Sequence, residues 1–447
     1  MYADLRAFLE ALRCRGDLIE IAEEVDPKFE IAAALASLDR RQGPVPLFTK
    51  VRGSAHAVTG NILATRARLA LALGCGEGEI EETYLERVHE RREPRLVREA
   101  PCQEVALEGG QDVLASIPVL THHEEDAGAY FTSAVTIARH PDTGARAIGI
   151  HRIQVKRGNH LGIYLQNPPI STLFALVEGR DQALEVAVVV GLDPITYFAS
   201  VTWDPALTDK FAIAGGLAGE PIELVRCVSK DLEAPASAEF VLEGRVLPHV
   251  RETEGPFGET SNYYITSDNP VIDVDVITHR RAPIYQGLVA SGQEAHVLNI
   301  SGQAENIRVL RDTFPEVRKV SFKGRGLVVV QLAKRRQTKA RAIFDYLLLN
   351  NRSLKTAILV DEDIDPFVFA DVEWALGTRF QPSRDLYVRE NVEGWGIDPS
   401  AGEDKRTSKL GIDATAPLEG RERFRRIEVP RAAAEAMEKL LAKHLKG

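Results

Sequence analysis

The sequence of 447 residues has few of the features that mark secreted, membrane-embedded or zinc-binding proteins. Its four cysteines are widely separated and form no Cys-x-x-Cys pair, so we expect neither a disulfide framework nor a zinc site. There is no run of about 18 apolar residues, and the N-terminus has the pattern of an amphipathic helix. These absences predict a cytoplasmic protein that is neither secreted nor inserted into a membrane.

The chain also lacks the usual signatures of nucleotide and nucleic-acid binding. Its formal net charge of −10 disfavours nonspecific contact with nucleic-acid phosphates. No Gly-x-x-x-x-Gly-Lys-Ser/Thr motif occurs, and the glycine-rich stretch at 74–78 follows a helical pattern instead of a strand. A nicotinamide cofactor is therefore not indicated. The hydrophobic content of 44% and charged content of 27% are those of an ordinary globular protein.

The order of the sequence patterns predicts an α/β (α+β) protein of three domains. Residues 1–104 open with an amphipathic helix that Asp4 can cap, and we expect an α/β domain there. Residues 105–303 contain apolar, β-branched runs and are predicted to be mainly β, with the pattern of a barrel. Residues 304–447 alternate between helix and strand patterns and end in an amphipathic helix over 430–446. That helix needs a partner, either the core of its own chain or a neighbouring subunit.

The segment 254–259, with the sequence Glu-Gly-Pro-Phe-Gly-Glu, is the most informative part of the chain. Its glycines allow unusual backbone angles and its proline lacks a donor, so we predict a turn that is neither helix nor regular strand. Such a turn can point Glu254 and Glu259 into one pocket, where two close carboxylates favour uptake of a proton. The alternative is a solvated acidic loop.

Five segments of the chain follow one another in a recognisable order: 148–154, 235–239, 254–259, 358–365 and 408–415. In sequence and in order they resemble the UbiD-type decarboxylases. The resemblance implies a central split β-barrel flanked by α/β domains and a prenylated FMN cofactor made by a separate flavin prenyltransferase. It also implies reversible, non-oxidative decarboxylation of aromatic or α,β-unsaturated acids.

The resemblance places the family's catalytic triad on Arg152, Glu254 and Glu259. Glu259 falls at the position of the proton donor, and Glu254 would couple to Arg152. These roles agree with the chemistry, because loss of CO2 from an sp² carbon requires an electron sink that side chains do not offer, and then a positioned acid. The alternative is an ordinary structural ion pair between arginine and glutamate.

The family's cofactor contacts carry over to several positions. The residues matched to the flavin-lining segments are Ile150, His151, Arg152, Leu165 and Gln166. Lys409 is a candidate partner for the flavin phosphate, although it could equally be a solvated lysine in a charged loop.

The chain departs from the family at the metal site. Relatives usually hold a divalent ion against the flavin phosphate with an Asn, a His and a Glu, whereas the matching positions here are Ala147, Asn167 and Lys210. A methyl or an ammonium group cannot bind a hard cation. We therefore expect no divalent metal ligands, and we hypothesise that the Lys210 ammonium replaces the charge of the metal. A monovalent cation bound by backbone carbonyls stays possible.

Substrate contacts are predicted at His296 and Arg308, downstream of the catalytic segment. His296 could hydrogen-bond a polar or heteroaromatic ring, or serve as a structural histidine. Arg308 could clamp a carboxylate, or face solvent on its predicted helix. The residues favour a small furan- or pyrrole-type acid over a polyprenyl hydroxybenzoate.

Two other functions compete with a decarboxylase at this stage. One is a noncatalytic flavin-binding paralogue, which the missing metal ligands would support. The other is an ordinary FMN oxidoreductase on a split barrel. We also expect a homo-oligomer, either a dimer or a hexamer, built with the terminal helix.

Overall fold

The computed structural model describes residues 2–108, 114–202, 209–324, 326–334, 339–427 and 429–444, without the side chains of residues 442 and 443. The chain forms two compact units, Met1–Arg308 with Ile397–Pro399 and Val309–Gly396 with Ser400–Gly447. Helices and strands occur throughout both units, which confirms the predicted mixed α/β class. The division into three domains and the split barrel remain predictions.

The first helix forms as its sequence predicts. The Asp4 side chain accepts a hydrogen bond from the Ala7 backbone amide at 2.7 Å, and the apolar residues at helical spacing are buried. The elements of this N-terminal part are α1 (Leu5–Cys14), β1 (Leu18–Val25), α2 (Glu30–Arg40), β2 (Val45–Val51), β3 (Ala57–Gly60), α3 (Arg66–Leu73), α4 (Ile80–Arg87) and β4 (Arg95–Val97).

The middle of the chain is rich in strands, as the β-branched runs predict. Its elements are β5 (Val105–Glu108), β6 (Tyr130–Phe131), β7 (Val135–Arg139), β8 (Arg146–Ile150), β9 (Ile153–Val155), β10 (His160–Ile163), α5 (Ile170–Glu178), β11 (Leu184–Val190), α6 (Pro194–Ala199), α7 (Lys210–Ala218), β12 (Glu223–Arg226), β13 (Glu233–Pro235), β14 (Phe240–Gly258), β15 (Tyr264–His279), β16 (Ile284–Gly287) and α8 (Gln293–Leu298).

The described residues of this unit form three sheets. The largest is antiparallel and has the order β6-β9-β10-β15-β14-β11-β7-β8, with β5 paired to β15. A smaller sheet has the order β1-β2-β3-β16, and a third joins β13, β12 and β4. The long hairpin of β14 and β15 lies in the middle of the largest sheet, where β11 pairs with residues 240–246 of β14 and β10 pairs with residues 271–273 of β15.

The second unit contains a five-stranded sheet of order β17-β18-β19-β21-β20. The remaining elements of the chain are α9 (Ile300–Thr313), β17 (Val317–Phe322), β18 (Leu327–Leu332), α10 (Ala340–Asn350), β19 (Thr356–Asp361), α11 (Phe369–Thr378), α12 (Pro382–Asp385), β20 (Leu386–Glu393), β21 (Arg406–Asp413) and α13 (Arg431–His444). α10 connects the parallel strands β18 and β19, which confirms the predicted alternation of helix and strand. Residues 445 and 446 of the predicted terminal helix lie outside the described residues.

α13 exposes an apolar stripe. Met437, Leu440 and Leu441 are each about half exposed in the isolated chain.

Within the described residues, no helix combines the length and the apolar character that crossing a bilayer requires.

Candidate active site

The segment 254–259 lies at the end of a strand, so the predicted turn is wrong. β14 pairs with β15 before and after this point, but the register of the pairing shifts between Glu254 and Phe257. The residues in between, Gly255 and Pro256, form a bulge. Gly255 has a φ of +100°, and a Cβ atom on it would lie 2.4 Å from the Ile265 carbonyl oxygen. The backbone angle and the close approach of β15 both require glycine at this position.

We expect Gly255→Ala to lower the free energy of unfolding by at least roughly 1–3 kcal/mol, because alanine would be held in a strained backbone conformation against a carbonyl oxygen. Urea unfolding followed by fluorescence measures the change. Gly302→Ala in α9 is the matched control, since a Cβ atom there meets no atom within 4 Å. Equal unfolding midpoints for the two variants would contradict the required glycine.

Arg152 binds both acidic residues at once. Its Nε and Nη2 atoms donate hydrogen bonds to Glu254 Oε1 and Oε2 at 3.0 and 2.6 Å. Its Nη1 atom donates to Glu259 Oε1 at 2.9 Å. Arg152 lies between β8 and β9, so the sheet brings together three residues that are distant in sequence. One guanidinium balances only one of two carboxylates, and the cluster therefore favours the uptake of one proton.

The two carboxyl groups have different surroundings. The Glu254 side chain is fully buried, whereas 14% of the Glu259 side chain is exposed. Burial raises the pKa of Glu254, although the hydrogen bonds from Arg152 favour its charged form. The second oxygen of Glu259, Oε2, accepts hydrogen bonds from the Thr260 backbone amide and hydroxyl at 2.8 and 3.0 Å. Of the two, Glu259 is the acid that a ligand can reach.

Aromatic rings enclose the guanidinium. The Tyr164 and Phe257 ring centroids lie 4.0 and 5.0 Å from Arg152 Cζ, which is the geometry of a cation–π interaction. The Asn269 amide donates to Glu254 Oε2 at 3.3 Å. Burial alone would lower the pKa of Arg152. The hydrogen bonds and negative charges of Glu254 and Glu259 outweigh burial, so the pKa of Arg152 is raised.

The predicted cofactor residues near Arg152 differ in exposure. Ile150 is half-buried at the end of β8, Leu165 is buried, and Gln166 is exposed. His151 is buried, and its Nδ1 atom has no hydrogen-bond partner among the described residues. Burial and then the nearby charge of Lys210 lower the pKa of His151 to about 4. The uncharged His151 imidazole is therefore within electrostatic range of the Lys210 ammonium.

The positions of the family's metal ligands do not fit a divalent ion. Ala147 is buried within β8 and presents a methyl group, and Asn167 is exposed. The Lys210 Nζ atom donates to the Ser200 carbonyl oxygen at 2.7 Å. Ammonium and methyl groups provide no lone pair for a cation. Across the described ranges, no group of three His, Cys, Asp or Glu residues has the arrangement of a metal site.

The structure contradicts the cofactor role predicted for Lys409. Its side chain is 2% exposed, and Nζ donates to the Leu348, Asn351 and Arg352 carbonyl oxygens at 2.8, 2.9 and 3.3 Å. The ammonium therefore stabilises the carboxyl end of α10, where unpaired carbonyls attract a positive charge. The alternative of a solvated lysine is also wrong.

The predicted substrate residues lie on the helices after β16. The Arg308 Nε atom donates to Glu305 Oε2 at 3.0 Å on an exposed face of α9, which favours the surface interpretation over a substrate clamp. His296 is half-buried in α8. Its role stays a prediction.

Sequence reasoning missed several residues that build the site. Phe257 belongs to the 254–259 segment, but its packing against Arg152 has no sequence signal of its own. Tyr164 directly precedes a predicted flavin contact, and it could have been found from its place after β10. The Asn269 contact with Glu254 depends on the β14–β15 pairing, whereas Thr260 binds the side chain of its neighbour Glu259.

Three sequence models of UbiD domains match most of the chain. They describe the N-terminal, Rift-related and C-terminal domains of 3-octaprenyl-4-hydroxybenzoate carboxy-lyase and match residues 9–88, 95–293 and 296–414. The chain therefore belongs to the UbiD family of carboxy-lyases.

Curated relatives of the chain are decarboxylases. Anhydromevalonate phosphate decarboxylase from Methanothermobacter thermautotrophicus is 32% identical and aligns over 95% of this chain and 99% of its own length. Phenolic acid decarboxylase from Sedimentibacter hydroxybenzoicus is 31% identical over 94% of this chain and 92% of its own.

Solved structures that are similar to this chain include UbiD-class enzymes. The UbiD-class enzyme HmfF from Pelotomaculum thermopropionicum, in complex with FMN, is 35% identical with a TM-score of 0.92 and covers 96% of this chain and 97% of its own. An evolved dimeric form of HmfF in complex with prFMN is 34% identical with a TM-score of 0.88, with the same coverage.

Proposed function

We propose that this chain is a prenylated-FMN-dependent decarboxylase of a small (hetero)aromatic or α,β-unsaturated acid, acting reversibly and without net oxidation. The observation that carries the proposal is the buried network in which Arg152 binds Glu254 and Glu259. A purely structural ion pair needs one carboxylate, whereas Arg152 also binds a second carboxylate, that of Glu259, which is partly exposed. The FMN and prFMN complexes of HmfF support the choice of cofactor.

In this proposal Glu259 donates its proton to the carbon atom that loses CO2 and is then reprotonated from solvent. Arg152 orients Glu259, and the bidentate bond to Glu254 fixes Arg152 in turn. Prenylated FMN, when bound, supplies the electron sink that the departing carboxylate requires. The rings of Tyr164 and Phe257 restrict water around the guanidinium.

The flavin would be held by the segments that surround Arg152. Ile150, His151, Leu165 and Gln166 would line it, and the unpartnered Nδ1 atom of His151 offers a hydrogen bond to a polar ligand atom. The Lys210 ammonium would meet the flavin phosphate in place of a metal ion. A separate flavin prenyltransferase would supply the prenylated cofactor.

We expect Lys210→Met to weaken FMN binding by roughly tenfold to a hundredfold, because a charged hydrogen bond to the phosphate is lost. Fluorescence titration with FMN measures the loss. Riboflavin, which has no phosphate, should bind the variant and the unchanged protein alike, and Lys210→Arg should recover most of the affinity. Equal FMN affinity in Lys210→Met, or FMN binding that EDTA abolishes in the unchanged protein, would contradict the charge replacement.

We favour a furan- or pyrrole-type carboxylate as the substrate, because the Tyr164 and Phe257 rings next to Arg152 offer flat apolar surface to a small ring. The test is CO2 release by protein co-produced with a flavin prenyltransferase. The panel comprises furan, pyrrole, hydroxybenzoate and cinnamate acids together with anhydromevalonate phosphate. Release from the heteroaromatic acids supports this choice, release from hydroxybenzoates or anhydromevalonate phosphate corrects the substrate alone, and no release with bound prenylated flavin contradicts the function.

The terminal helix would join copies of the chain. The half-exposed Met437, Leu440 and Leu441 of α13 form an apolar stripe that a second copy can bury. Light scattering coupled to size-exclusion chromatography measures the oligomeric state. A dimer or hexamer is expected, and a monomer would contradict this role.

A further inference from the structure

A pocket of about 410 Å³ lies in the first unit, beside the residues that precede β6. Phe29 and the small side chains of α2 contribute apolar surface to this pocket, and two histidines and a glutamate contribute polar groups. The lining residues are Phe29, Ala32, Ala33, Ala36, His122, His123, Glu124 and Val289. Its volume is within the range of small-molecule sites.

His122 is the unusual member of this lining. It is 7% exposed, and neither ring nitrogen has a hydrogen-bond partner among the described residues. The Leu288 backbone lies close to the ring without completing a hydrogen bond. Leaving such a polar group buried and unpaired is unfavourable, because it has lost its hydrogen bonds to water and gained none in the protein. A ligand in the pocket would remove that cost.

The chemistry of the lining defines the ligand. Burial lowers the pKa of His122 to about 4, so at neutral pH the imidazole is uncharged and offers one donor and one acceptor. Glu124 is exposed at the pocket, and its negative charge repels a ligand that carries a carboxylate. The alanine methyl groups of α2 form an apolar wall against which a flat ring can pack.

We propose that the His122 pocket binds a small, uncharged, planar ring that carries a hydrogen-bonding group. This is the class of molecule that remains when an aromatic or heteroaromatic acid loses its carboxylate, so the identity of the ligand as a product rests on the proposed function. The pocket would accept the product and reject the acid, because only the acid carries a negative charge.

The pocket is connected to the catalytic strand. The Gly258 backbone amide donates to Asp126 Oδ1 at 2.9 Å, and the His123 ring occupies the space where a Cβ atom of Gly258 would lie. The His122 ring contacts Phe257 edge-on at a centroid distance of 6.3 Å. Through His122 and His123, a ligand in the pocket would therefore be one side chain away from Phe257 and Gly258, the residues directly before Glu259.

Saturation-transfer NMR with phenol and benzoate, a matched uncharged and charged ring, tests the proposal on the full-length protein without turnover. Phenol should bind, and Ala33→Leu, which fills the pocket from the exposed face of α2, should abolish that binding. His122→Phe should weaken it about tenfold, the effect of one or two lost hydrogen bonds. Ser37→Leu on the same helix does not line the pocket and should leave phenol binding unchanged.

The result is independent of the decarboxylase assignment, since binding is measured and not CO2 release. Phenol binding that survives both Ala33→Leu and His122→Phe would overturn the proposed site. Benzoate binding that Ala33→Leu removes to the same extent as phenol binding would overturn the preference for uncharged rings. Unchanged melting temperatures for Ala33→Leu ensure that a loss of binding does not reflect unfolding.

Discussion

Glu259→Gln should lose roughly 10²- to 10⁴-fold in turnover while it keeps its flavin, because the amide preserves the shape of the side chain but cannot donate a proton as an acid. The hydrogen bond from Arg152 Nη1 can still be accepted by the amide oxygen, so the site should stay assembled. CO2 release under saturating substrate measures the effect, with cofactor content determined by the absorption spectrum.

Two controls separate proton transfer from a general disturbance of the site. Glu259→Asp retains an acid at a shorter reach and should keep more activity than the glutamine variant. Exchange of the product's ring hydrogen for deuterium from solvent, the reverse of the same proton transfer, should be lost in parallel in Glu259→Gln. Full decarboxylation in Glu259→Gln would remove Glu259 from the reaction.

Arg152→Met should lower the free energy of unfolding by about 3–5 kcal/mol, because it leaves the fully buried Glu254 without its partner. Methionine fills a similar volume, so the loss reflects the uncompensated charge more than a cavity. Urea unfolding at neutral pH measures it. The double variant Arg152→Met with Glu254→Gln removes the orphaned charge and should recover most of the stability.

The stability that Arg152→Met loses should depend on pH through the protonation of Glu254. Burial raises the pKa of Glu254 above its unfolded value, and removal of Arg152 raises it further. A raised carboxyl pKa stabilises the folded state below the unfolded pKa, and that stability is lost as the pH rises through the folded pKa. The destabilisation in Arg152→Met should therefore be largest at neutral pH and should shrink toward pH 4. A loss that does not change with pH would contradict the charge explanation.

Much of the architecture could be predicted from local patterns. The cap and apolar stripe of α1, the valine-rich strand β11 and the alternation of β18, α10 and β19 depend on neighbours within a few residues, and all three appear in the structure. Arg152, Glu254 and Glu259 were found through motif order, and the sheet does bring them together. Their roles in catalysis remain a proposal.

The errors share a physical cause. The 254–259 segment has glycine and proline in a turn-like pattern, yet pairing with β15 holds it in a strand, because a bulge accommodates the same residues. Lys409 looked exposed in a charged sequence, but its neighbours in space are helix carbonyls 57 to 61 residues away. Contacts between distant parts of the chain decide such cases, and no local pattern contains them.

The bulge at Gly255 also determines which face of the sheet Glu254 and Glu259 occupy. Successive side chains of a strand point to opposite faces, so Glu254 and Glu259, an odd number of positions apart, would lie on opposite sides of a regular sheet. Between Glu254 and Phe257 the strand advances three residues while β15 advances two, from Ser267 to Ile265. The one extra residue restores an even count and returns both acids to the face of Arg152. Inserting any single residue between them would make the count odd again and would turn Glu259 away from the guanidinium, although all three side chains would still be present.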